Sequence, residues 1–432
     1  MKYLLSIFIA LTLLLSYQYV LAEETVIPLQ ALIDQTESGE TLILPPGEYI
    51  GGAVITKPIN IIGEDEVLIT SDGKSSIITI SSNNVSITNL SIRDEKKQSD
   101  ATVSIVGDNN YLGDISIETQ GIGIKLLEAH DNTLENITIT GDKNLSLGQR
   151  GNGIDLWGSH GNNIQSTTIS HVKDGIYIES SKDNVVASNE ITHSRYGYHL
   201  MFTEQTNLQG NISTDNASGM MIMGTKKTTA DGNILKNNQK SARAQGILLF
   251  DVTEALIINN EMTENKIGIY MEQSSENEIK KNEMIRNYIG IQVKEASNNQ
   301  IYHNSIMANV VQGQADQSAN NDTHSNYWGN HVGLDTNGDG KSNTRYIVDP
   351  YFLSLTEDFP VFQLFFQTPG MEFLKLLLQT PSENWFIDES PLMDNPVVSD
   401  HVQTEKSNFV WMVSLSLVII STGIFYTGVR KR

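Results

Sequence analysis

The sequence predicts an all-β fold, a right-handed parallel β-helix built from coils of about 22 residues. Glycines recur through the middle of the chain, separated by 22, 22, 22, 27, 22 and 22 residues: Gly153, Gly175, Gly197, Gly219, Gly246, Gly268 and Gly290. From the second glycine onward, an asparagine follows each one after 14 residues: Asn189, Asn211, Asn233, Asn260, Asn282 and Asn304. A partial column of asparagines stands nine residues after the glycine: Asn162, Asn184, Asn277 and Asn299. Self-similarity at a fixed period is the signature of a repeat architecture.

Each repeat alternates apolar and polar residues over short runs, as in the segment Gly-Ile-Tyr-Ile-Glu that starts at Gly175. A period of two is typical of strands rather than helices. Roughly three short strands fit into one repeat, which cannot enclose a core alone, so neighbouring repeats must stack. Stacking places equivalent residues ~4.8 Å apart. The asparagines then form hydrogen-bonded ladders at the turns, so we assign their columns a structural role.

The repeat is less regular outside this central region. Weaker repeats run from about Ile78 to Thr140, and the segment Thr41–Ile50 has the pattern of a first coil. The residues Leu29–Gln35 before it are predicted to form a capping helix, which would cover the open end of the sheets. After Asn304 we expect the coils to give way to a polar loop, with a new segment near Tyr346.

Side chains alternate between core and surface within the strand that follows each glycine. The first and third positions are mostly aliphatic and are predicted to face the core: Ile154/Leu156, Ile176/Ile178, Tyr198/Leu200, Met220/Ile222, Ile247/Leu249, Ile269/Met271 and Ile291/Val293. The second and fourth positions are then predicted to face out: Asp155/Trp157, Tyr177/Glu179, His199/Met201, Met221/Met223, Leu248/Phe250, Tyr270/Glu272 and Gln292/Lys294.

The middle of this outward face is rich in sulfur. His199 and Met221 are neighbours in one column, and Met201 and Met223 are neighbours in the next. One imidazole and three thioethers should therefore lie on two adjacent coils, roughly 5–7 Å from one another. Neutral, soft ligands of this kind select Cu(I), which makes the four residues a candidate copper site. The alternative is an apolar face that a loop or a partner protein covers.

Composition excludes several classes of function. The chain has 51 acidic and 29 basic residues, a formal net charge of -22, and an acidic surface repels nucleic acid. It contains no cysteine, which excludes disulfides, thiolate metal sites and cysteine nucleophiles. Soft-metal chemistry in this chain must therefore use methionine and histidine.

Both ends of the chain predict a protein that is exported and anchored. Residues 1–22 combine a short positive start, an apolar run and a small-residue cleavage site, which are the features of a signal peptide. Residues 407–429 are predicted to form a transmembrane helix, because a bilayer core needs about 20 apolar residues. The basic tail at 430–432 then marks the cytoplasmic side. We expect the β-helix, residues 23–345, to be extracytoplasmic and anchored to the cell membrane by this helix.

A second candidate metal site lies in the polar segment that follows the repeats. Asp335, Asn337 and Asp339 occupy alternate positions with Gly340 next, as at the start of an oxygen-ligand calcium loop. The twelfth position is Tyr346 instead of a bidentate glutamate, so the match is partial. A structural Ca²⁺ and a turn rich in Asp and Asn are the two interpretations.

Several segments together resemble the NosD family, the β-helix maturation proteins of nitrous oxide reductase. The resemblance covers roughly residues 23–397, and the motifs that carry it are Arg150–Ile154, Asp174–Ile176, Arg195–Met201, Gly219–Met223 and Ile387–Met393. The repeat alone is unspecific, since polysaccharide-degrading enzymes share it. The His-x-Met strand and the Pro-Leu-Met segment near the C-terminus are more specific.

The resemblance implies a non-enzymatic role outside the cytoplasm. Family members work with an ABC-type ATPase, its membrane permease and a copper chaperone lipoprotein to help build the copper–sulfide centre of nitrous oxide reductase. His199 and Met201 match the family motif best, and Met221 and Met223 fall where the family also tends to have methionine. The cargo that this implies is copper or sulfur. The terminal membrane span is a departure, because many members are soluble in the periplasm.

Residues 346–406 are predicted to form a C-terminal helical segment and linker. Two short helices are expected over residues 361–385, where a Thr-Pro-Ser-Glu sequence has the form of a capping box. Their many apolar residues either cap the solenoid or dock onto the permease. The polar stretch from Asp388 to Lys406 has the composition of a linker.

The rival interpretations are a β-helix polysaccharide lyase or hydrolase and an adhesion solenoid. Such an enzyme needs convergent carboxylates on the outer face, often with a basic side chain. Asp155 and Glu179 stand on adjacent coils, so one carboxylate pair is available. No arginine accompanies them in the second and fourth columns, which favours the assembly factor over the enzyme.

Overall fold

The computed structural model describes residues 26–95, 101–241, 244–318, 320–348 and 386–396, with scattered positions between 355 and 377. These residues form an all-β, right-handed parallel solenoid with about 22 residues per coil, which confirms the predicted fold class. The predicted signal peptide and transmembrane helix lie outside the described residues, as do most residues of the two helices expected over 361–385. Within the described residues, no helix is long and apolar enough to span a membrane.

Three parallel sheets run the length of the solenoid. Sheet 1 carries the strand after each glycine, and its described strands are Ala53–Ile55, Ile78–Ile80, Val103–Ile105, Ile124–Leu127, Ile154–Trp157, Asp174–Glu179, Tyr196–Met201, Ser218–Met223, Gln245–Phe250, Ile267–Glu272, Ile289–Lys294 and Val311–Asp316. Sheet 2 follows sheet 1 in each coil, with strands Thr41–Leu44, Asn60–Gly63, Asn163–Gln165, Val185–Ala187, Asn207–Gln209, Thr229–Asp231, Leu256–Ile258, Glu278–Lys280, Gln300–Tyr302 and Asp322–His324.

Sheet 3 completes each coil before the chain returns to sheet 1. Its strands are Ile27–Pro28, Gly47–Ile50, Val67–Thr70, Thr168–Ser170, Glu190–Thr192, Ile212–Thr214, Ile234–Lys236, Glu261–Thr263, Glu283–Ile285, Ser305–Met307 and Tyr327–Trp328. Three longer strands run through sheets 2 and 3 without a break, Ser86–Asp94, Tyr111–Thr119 and Thr133–Gly141. A 3₁₀ turn, Leu147–Gln149, and a separate antiparallel pair, Tyr346–Val348 with Phe386–Asp388, complete the described elements.

The register of sheet 1 follows the 22-residue period. Tyr198 pairs with Ile176 on one side and with Met220 on the other. The 27-residue step leaves this register intact, because Met220 still pairs with Ile247 and the additional residues lie between Lys236 and Gln245. The insertion therefore changes a turn and leaves the columns of side chains aligned.

The glycine column reflects a lack of space at one corner of each coil. A Cβ built on Gly268 would lie 2.4 Å from the carbonyl oxygen of Gly290, and one built on Gly175 would lie 2.5 Å from that of Gly197. Real Cβ atoms do not approach backbone oxygens so closely, so any side chain would push neighbouring coils apart. The inward positions predicted in sheet 1, from Ile154 to Val293, are all buried, as expected.

Asparagine ladders stabilise the turns, as predicted for both columns. In the first, the backbone N–H and side-chain NH₂ of Asn211 both donate to the Oδ1 of Asn233, at 2.9 and 3.0 Å. The structure adds a third column that was not predicted, 19 residues after the glycines: Asn216, Asn238, Asn265, Asn287 and Asn309. These side chains are buried and supply partners to backbone groups that the turns would otherwise leave unpaired.

The N-terminal end of the solenoid is covered as predicted. The helix Leu29–Gln35 buries Leu29 and Ile33 in the core. It also joins the next coil through its surface, since the Gln30 side chain accepts a hydrogen bond of 2.7 Å from the backbone N–H of Val54. The helix thereby protects sheet edges that would otherwise pair with other chains.

The C-terminal end differs from the prediction. The coils continue beyond Asn304 for one more turn, in which Ser305–Met307 pairs with Glu283–Ile285 and Asp322–His324 pairs with Gln300–Tyr302. This last coil keeps the register because Asn326 continues the first asparagine ladder and accepts from Asn304 at 2.9 Å. The segment after Asn304 is polar and was therefore predicted to be a loop, but the asparagine ladder holds its short strands in register.

Asp388 terminates this ladder. The buried carboxylate accepts hydrogen bonds from the backbone N–H of Ser325 and Asn326, the Asn326 side chain, and the Trp328 indole N–H, at 2.9–3.1 Å. Trp328 is buried beneath Tyr346, with the two rings stacked 4.5 Å apart. Part of the stretch predicted as a linker, Asp388 onward, is therefore a structural cap on the last coil.

Candidate functional site

The four predicted copper ligands lie together on the outer face of sheet 1. His199 pairs directly with Met221, and Met201 pairs directly with Met223, in the strands Tyr196–Met201 and Ser218–Met223. The residues between them, Leu200 and Ile222, are fully buried in the core, so the four side chains project from the opposite face. The structure thus brings together all four residues that the sequence placed in one cluster.

The site is more enclosed than a typical solenoid surface. His199 and Met221 are buried, whereas Met201 and Met223 are half-buried. Tyr177 and Tyr196 flank the imidazole with edge-to-face ring contacts of 4.9 and 5.2 Å between centroids. These large neighbours exclude water from the base of the site and leave the two outer methionines accessible.

A buried carboxylate orients the imidazole. The Oδ2 of Asp174, on the preceding coil, lies 2.9 Å from Nδ1 of His199. Arg195 donates to both oxygens of the same carboxylate, from Nε at 2.8 Å and from Nη2 at 2.6 Å. Burial raises the pKa of Asp174, but the hydrogen bonds from His199 and Arg195 outweigh it and hold the pKa below its usual value.

Neither Asp174 nor Arg195 was among the predicted site residues. The outward positions that alternation predicts are the second and fourth after each glycine, whereas these two residues precede their glycines. The position directly before the glycine reaches the same face, because the side chains of Asp174 and Tyr196 both contact the imidazole of His199. The sequence signal that was available is a charged residue one or two positions before Gly175 and Gly197, the glycines of the two coils concerned.

The donor set fits a monovalent copper ion. Three thioethers and one neutral imidazole offer soft ligands without charge, which suit Cu(I). Nδ1 of His199 is held by Asp174, and no hydrogen bond of Nε2 is found among the described residues, so Nε2 is the nitrogen available to a metal. The Tyr177 hydroxyl lies 3.4 Å from the Met201 sulfur and also bonds to Glu179. In the described residues, no group of three or more His, Cys, Asp or Glu side chains forms a metal site of the harder type.

Asp155 is a second buried carboxylate on this face, one coil before Tyr177. Its Oδ2 accepts from the Asn152 side chain at 3.1 Å, while Oδ1 is buried without a hydrogen-bond partner. Desolvation is the main reason that the pKa of Asp155 lies above its ordinary value. The ionised form is therefore held at a disadvantage in the folded protein.

We predict that Asp155→Asn stabilises the protein at neutral pH by about 1 kcal/mol. A raised folded-state pKa means that the folded protein binds this proton more tightly than the unfolded chain. The free energy of unfolding therefore falls as the pH rises from the pKa of Asp155 in the unfolded chain to its raised pKa in the folded protein. Asparagine carries no titrating group at this position, so the variant does not suffer this loss. Thermal unfolding of both proteins at neutral and at strongly acidic pH measures this difference. The unfolding midpoint of Asp155→Asn should exceed that of the wild type only at neutral pH. A midpoint at neutral pH that is equal to or below that of the wild type contradicts the prediction.

Phe202 is an unusual residue at the rim of the site. It follows Met201, has a left-handed backbone (φ 54°), and is 60% exposed. Bulky residues rarely adopt this conformation, and the equivalent positions on neighbouring coils hold Ser180 and Gly224. A Cβ on Gly224 would lie 2.7 Å from the Phe202 ring, so this glycine makes room for it. Alternation within the strand does not point to Phe202, because the strand ends at Met201.

The predicted calcium residues form a turn whose carboxylates are used internally. Asp335 accepts backbone N–H bonds from Asn337, Gly338 and Gly340 at 2.7–3.2 Å. Asp339 accepts from the Lys341 backbone at 2.9 Å and from the Asn337 side chain at 3.0 Å. This geometry is that of the alternative interpretation, a turn rich in Asp and Asn. It gives no support to a calcium ion.

The carboxylates required by the enzyme hypothesis are present, and an arginine that lies outside the second and fourth columns reaches the same face. Asp155, Tyr177 and Glu179 lie on adjacent coils, and this arginine is Arg195. The arginine is, however, engaged by Asp174 through both of its oxygens. The Tyr177 hydroxyl is engaged by Glu179, and burial is the largest reason that its pKa is raised.

Solved structures that share this fold include polysaccharide-degrading enzymes. An alginate lyase, AlyF-OU02 in complex with G6, is 11% identical with a TM-score of 0.56, over 71% of this chain and 85% of the lyase. A Family 28 exopolygalacturonase from Yersinia enterocolitica is 10% identical with a TM-score of 0.53, over 68% of this chain and 74% of the enzyme. At such low identity the likeness shows the fold alone. No curated protein sequence matches the chain.

A family model gives a more specific match. The model described as "Periplasmic copper-binding protein (NosD)" matches residues 135–352, just over half of the chain. The match contains the strands that carry His199, Met201, Met221 and Met223, together with Asp174 and Arg195. On this match, the chain belongs to the NosD family.

Proposed function

We propose that this protein is an extracytoplasmic accessory factor that delivers copper, or the sulfur that accompanies it, for the maturation of the copper centre of nitrous oxide reductase. The observation that carries the proposal is the alignment of His199 with Met221 and of Met201 with Met223 on one outward face. Three soft thioethers and an imidazole suit transient binding of Cu(I) as a cargo.

The family description supports a copper-related role outside the cytoplasm. The partners that we propose are an ABC-type ATPase with its membrane permease, a copper chaperone lipoprotein, and nitrous oxide reductase itself. A transmembrane helix at 407–429 would keep the solenoid beside the permease, and this anchor is part of the proposal. Phase partitioning of cell membranes tests the anchor, since a protein found wholly in the aqueous phase contradicts it.

Catalysis is not part of the proposed function. The shared fold with an alginate lyase and an exopolygalacturonase is distant, and the cationic Arg195 is neutralised by Asp174. Carbohydrate chemistry would also leave the three methionines beside His199 without a role. The assembly role accounts for the cluster of His199, Met201, Met221 and Met223.

We predict that deleting the coding sequence in a nitrous-oxide-respiring host leaves nitrous oxide reductase without its catalytic copper centre, because the delivery step proposed for this protein is lost. The purified reductase is analysed for copper by mass spectrometry and for its visible spectrum. A plasmid-borne wild-type chain should restore both, whereas a chain with leucine at positions 201, 221 and 223 should not.

Two outcomes would contradict the proposed function. Normal copper loading in the deletion strain would point to an adhesion or other interaction solenoid. Release of unsaturated sugars from uronate polymers by the purified protein would favour a polysaccharide lyase, and Asp155 and Glu179 would then be the carboxylates to replace first.

A further inference from the structure

On the outer face, the carboxylate of Asp174 binds both the guanidinium of Arg195 and the imidazole of His199. The Asp174 side chain is almost fully buried, and it lies within hydrogen-bond distance of one imidazole nitrogen and two guanidinium nitrogens. All three donors converge on the two oxygens of one carboxylate, with distances between 2.6 and 2.9 Å. The arrangement is directional, because a guanidinium fork fixes the plane of the carboxylate.

This contact determines which imidazole nitrogen carries the proton. An ionised carboxylate only accepts hydrogen bonds, and Arg195 can only donate them. The Nδ1 atom of His199 must therefore be protonated in order to bond to Asp174. In the neutral imidazole, the lone pair is then on Nε2, on the opposite side of the ring from the carboxylate.

We propose that Asp174 is a positioning residue, which fixes the tautomer and orientation of His199 so that Nε2 is presented as a ligand beside Met201, Met221 and Met223. The proposal rests on the proposed copper function. Ligating histidines commonly donate their other N–H to a carboxylate, which raises the basicity of the ligand and fixes the ring. Arg195 holds the carboxylate in turn, and its guanidinium lies 4.4 Å from the centroid of the Tyr196 ring, which itself contacts the imidazole.

The fold itself does not require a buried carboxylate at this position. The equivalent positions on the following coils hold Tyr196, Ser218, Gln245, Ile267, Ile289 and Val311, none of which is charged. A buried ion pair is in any case weak support for stability, because desolvation offsets most of its attraction. The carboxylate occurs on the coil next to the one that carries His199, which indicates a role toward that imidazole.

The test is Cu(I) binding by the full-length protein in detergent, measured anaerobically by competition with a chromophoric Cu(I) chelator. We expect Asp174→Asn to weaken Cu(I) binding by roughly 10- to 100-fold, the usual effect of losing such a partner. The matched control is Asp155→Asn, which also removes a buried carboxylate from this face but has no contact with His199. It should keep the wild-type affinity.

A spectroscopic measurement separates positioning from a merely structural effect. Selective ¹⁵N labelling of the nine histidines gives long-range proton–nitrogen spectra in which the tautomer of each ring is visible. The signal of His199 is identified as the one that disappears in His199→Gln. It should show a protonated Nδ1 in the metal-free wild type and a mixture of tautomers in Asp174→Asn. This measurement on the wild type needs no variant of Asp174 to fold.

The outcomes distinguish the two proposals. If the wild type binds Cu(I) and Asp174→Asn binds it equally well, the positioning role is wrong and the copper function stands. A protonated Nε2 in the metal-free wild type also overturns the positioning role. If the wild type binds no Cu(I), the copper function is wrong, and the role assigned to Asp174 falls with it even where the tautomer is as expected.

Discussion

Replacing Met201, Met221 and Met223 together by leucine is expected to abolish Cu(I) binding while the β-helix remains folded. The substitution removes three of the four soft ligands and leaves one imidazole, which cannot hold Cu(I) alone against a competing chelator. Even the loss of an outer-shell partner weakens metal sites by roughly 10- to 100-fold, so the loss of three direct ligands must exceed this. Anaerobic chelator competition measures the affinity, and circular dichroism confirms the fold.

The chain offers a matched control for this experiment. Met220, Met271 and Met284 are also methionines, but they are buried in the core. Replacing these three by leucine makes the same chemical change in a volume-conserving way, which cores usually tolerate at a cost below about 1.5 kcal/mol per site. The control variant should bind Cu(I) like the wild type. If the variant with leucine at positions 201, 221 and 223 still binds one Cu(I) per chain, the copper ligands lie elsewhere in the protein.

Much of the fold and part of the site follow from the sequence because a solenoid repeats the same local geometry. Once the glycines set the period, alternation decides which side chains face out, and His199 falls beside Met221 without any knowledge of the loops. The inward positions follow from the same alternation. The third asparagine column, which was not predicted, has the same period and begins 19 residues after Gly197.

The rest of the site depends on contacts that the period does not encode. Asp174 and Arg195 flank the bend before the glycine, where strict alternation fails, and their side chains meet across two coils. The cap at the C-terminal end depends on Asp388, which bonds to residues some 60 positions earlier, such as Trp328. No spacing within the repeat predicts such a contact, because the intervening segment does not follow the repeat.

The second large effect is expected at this cap. Asp388→Ala should lower the free energy of opening of the last coil by about 1–3 kcal/mol, the cost of leaving a buried donor without its acceptor. The carboxylate is the acceptor for the buried backbone N–H of Asn326, which loses it in the variant, whereas the N–H of Ser325 also donates to the carbonyl of Ser390. Hydrogen exchange detected by mass spectrometry measures the opening of residues 305–328.

The effect should remain local, because each coil of a solenoid contacts only its neighbours. Exchange in the coils around Met221 should stay slow in Asp388→Ala while the last coil exchanges faster. Asp322→Ala is the matched control, since Asp322 is an exposed carboxylate of the same coil and its removal leaves the cap intact. Unchanged exchange of residues 305–328 in Asp388→Ala would show that the stacked Trp328 and Tyr346 rings hold the end without the carboxylate. An effect that spread to the copper-site coils would instead mean that the solenoid opens as one unit, and that the C-terminal cap controls the stability of the site itself.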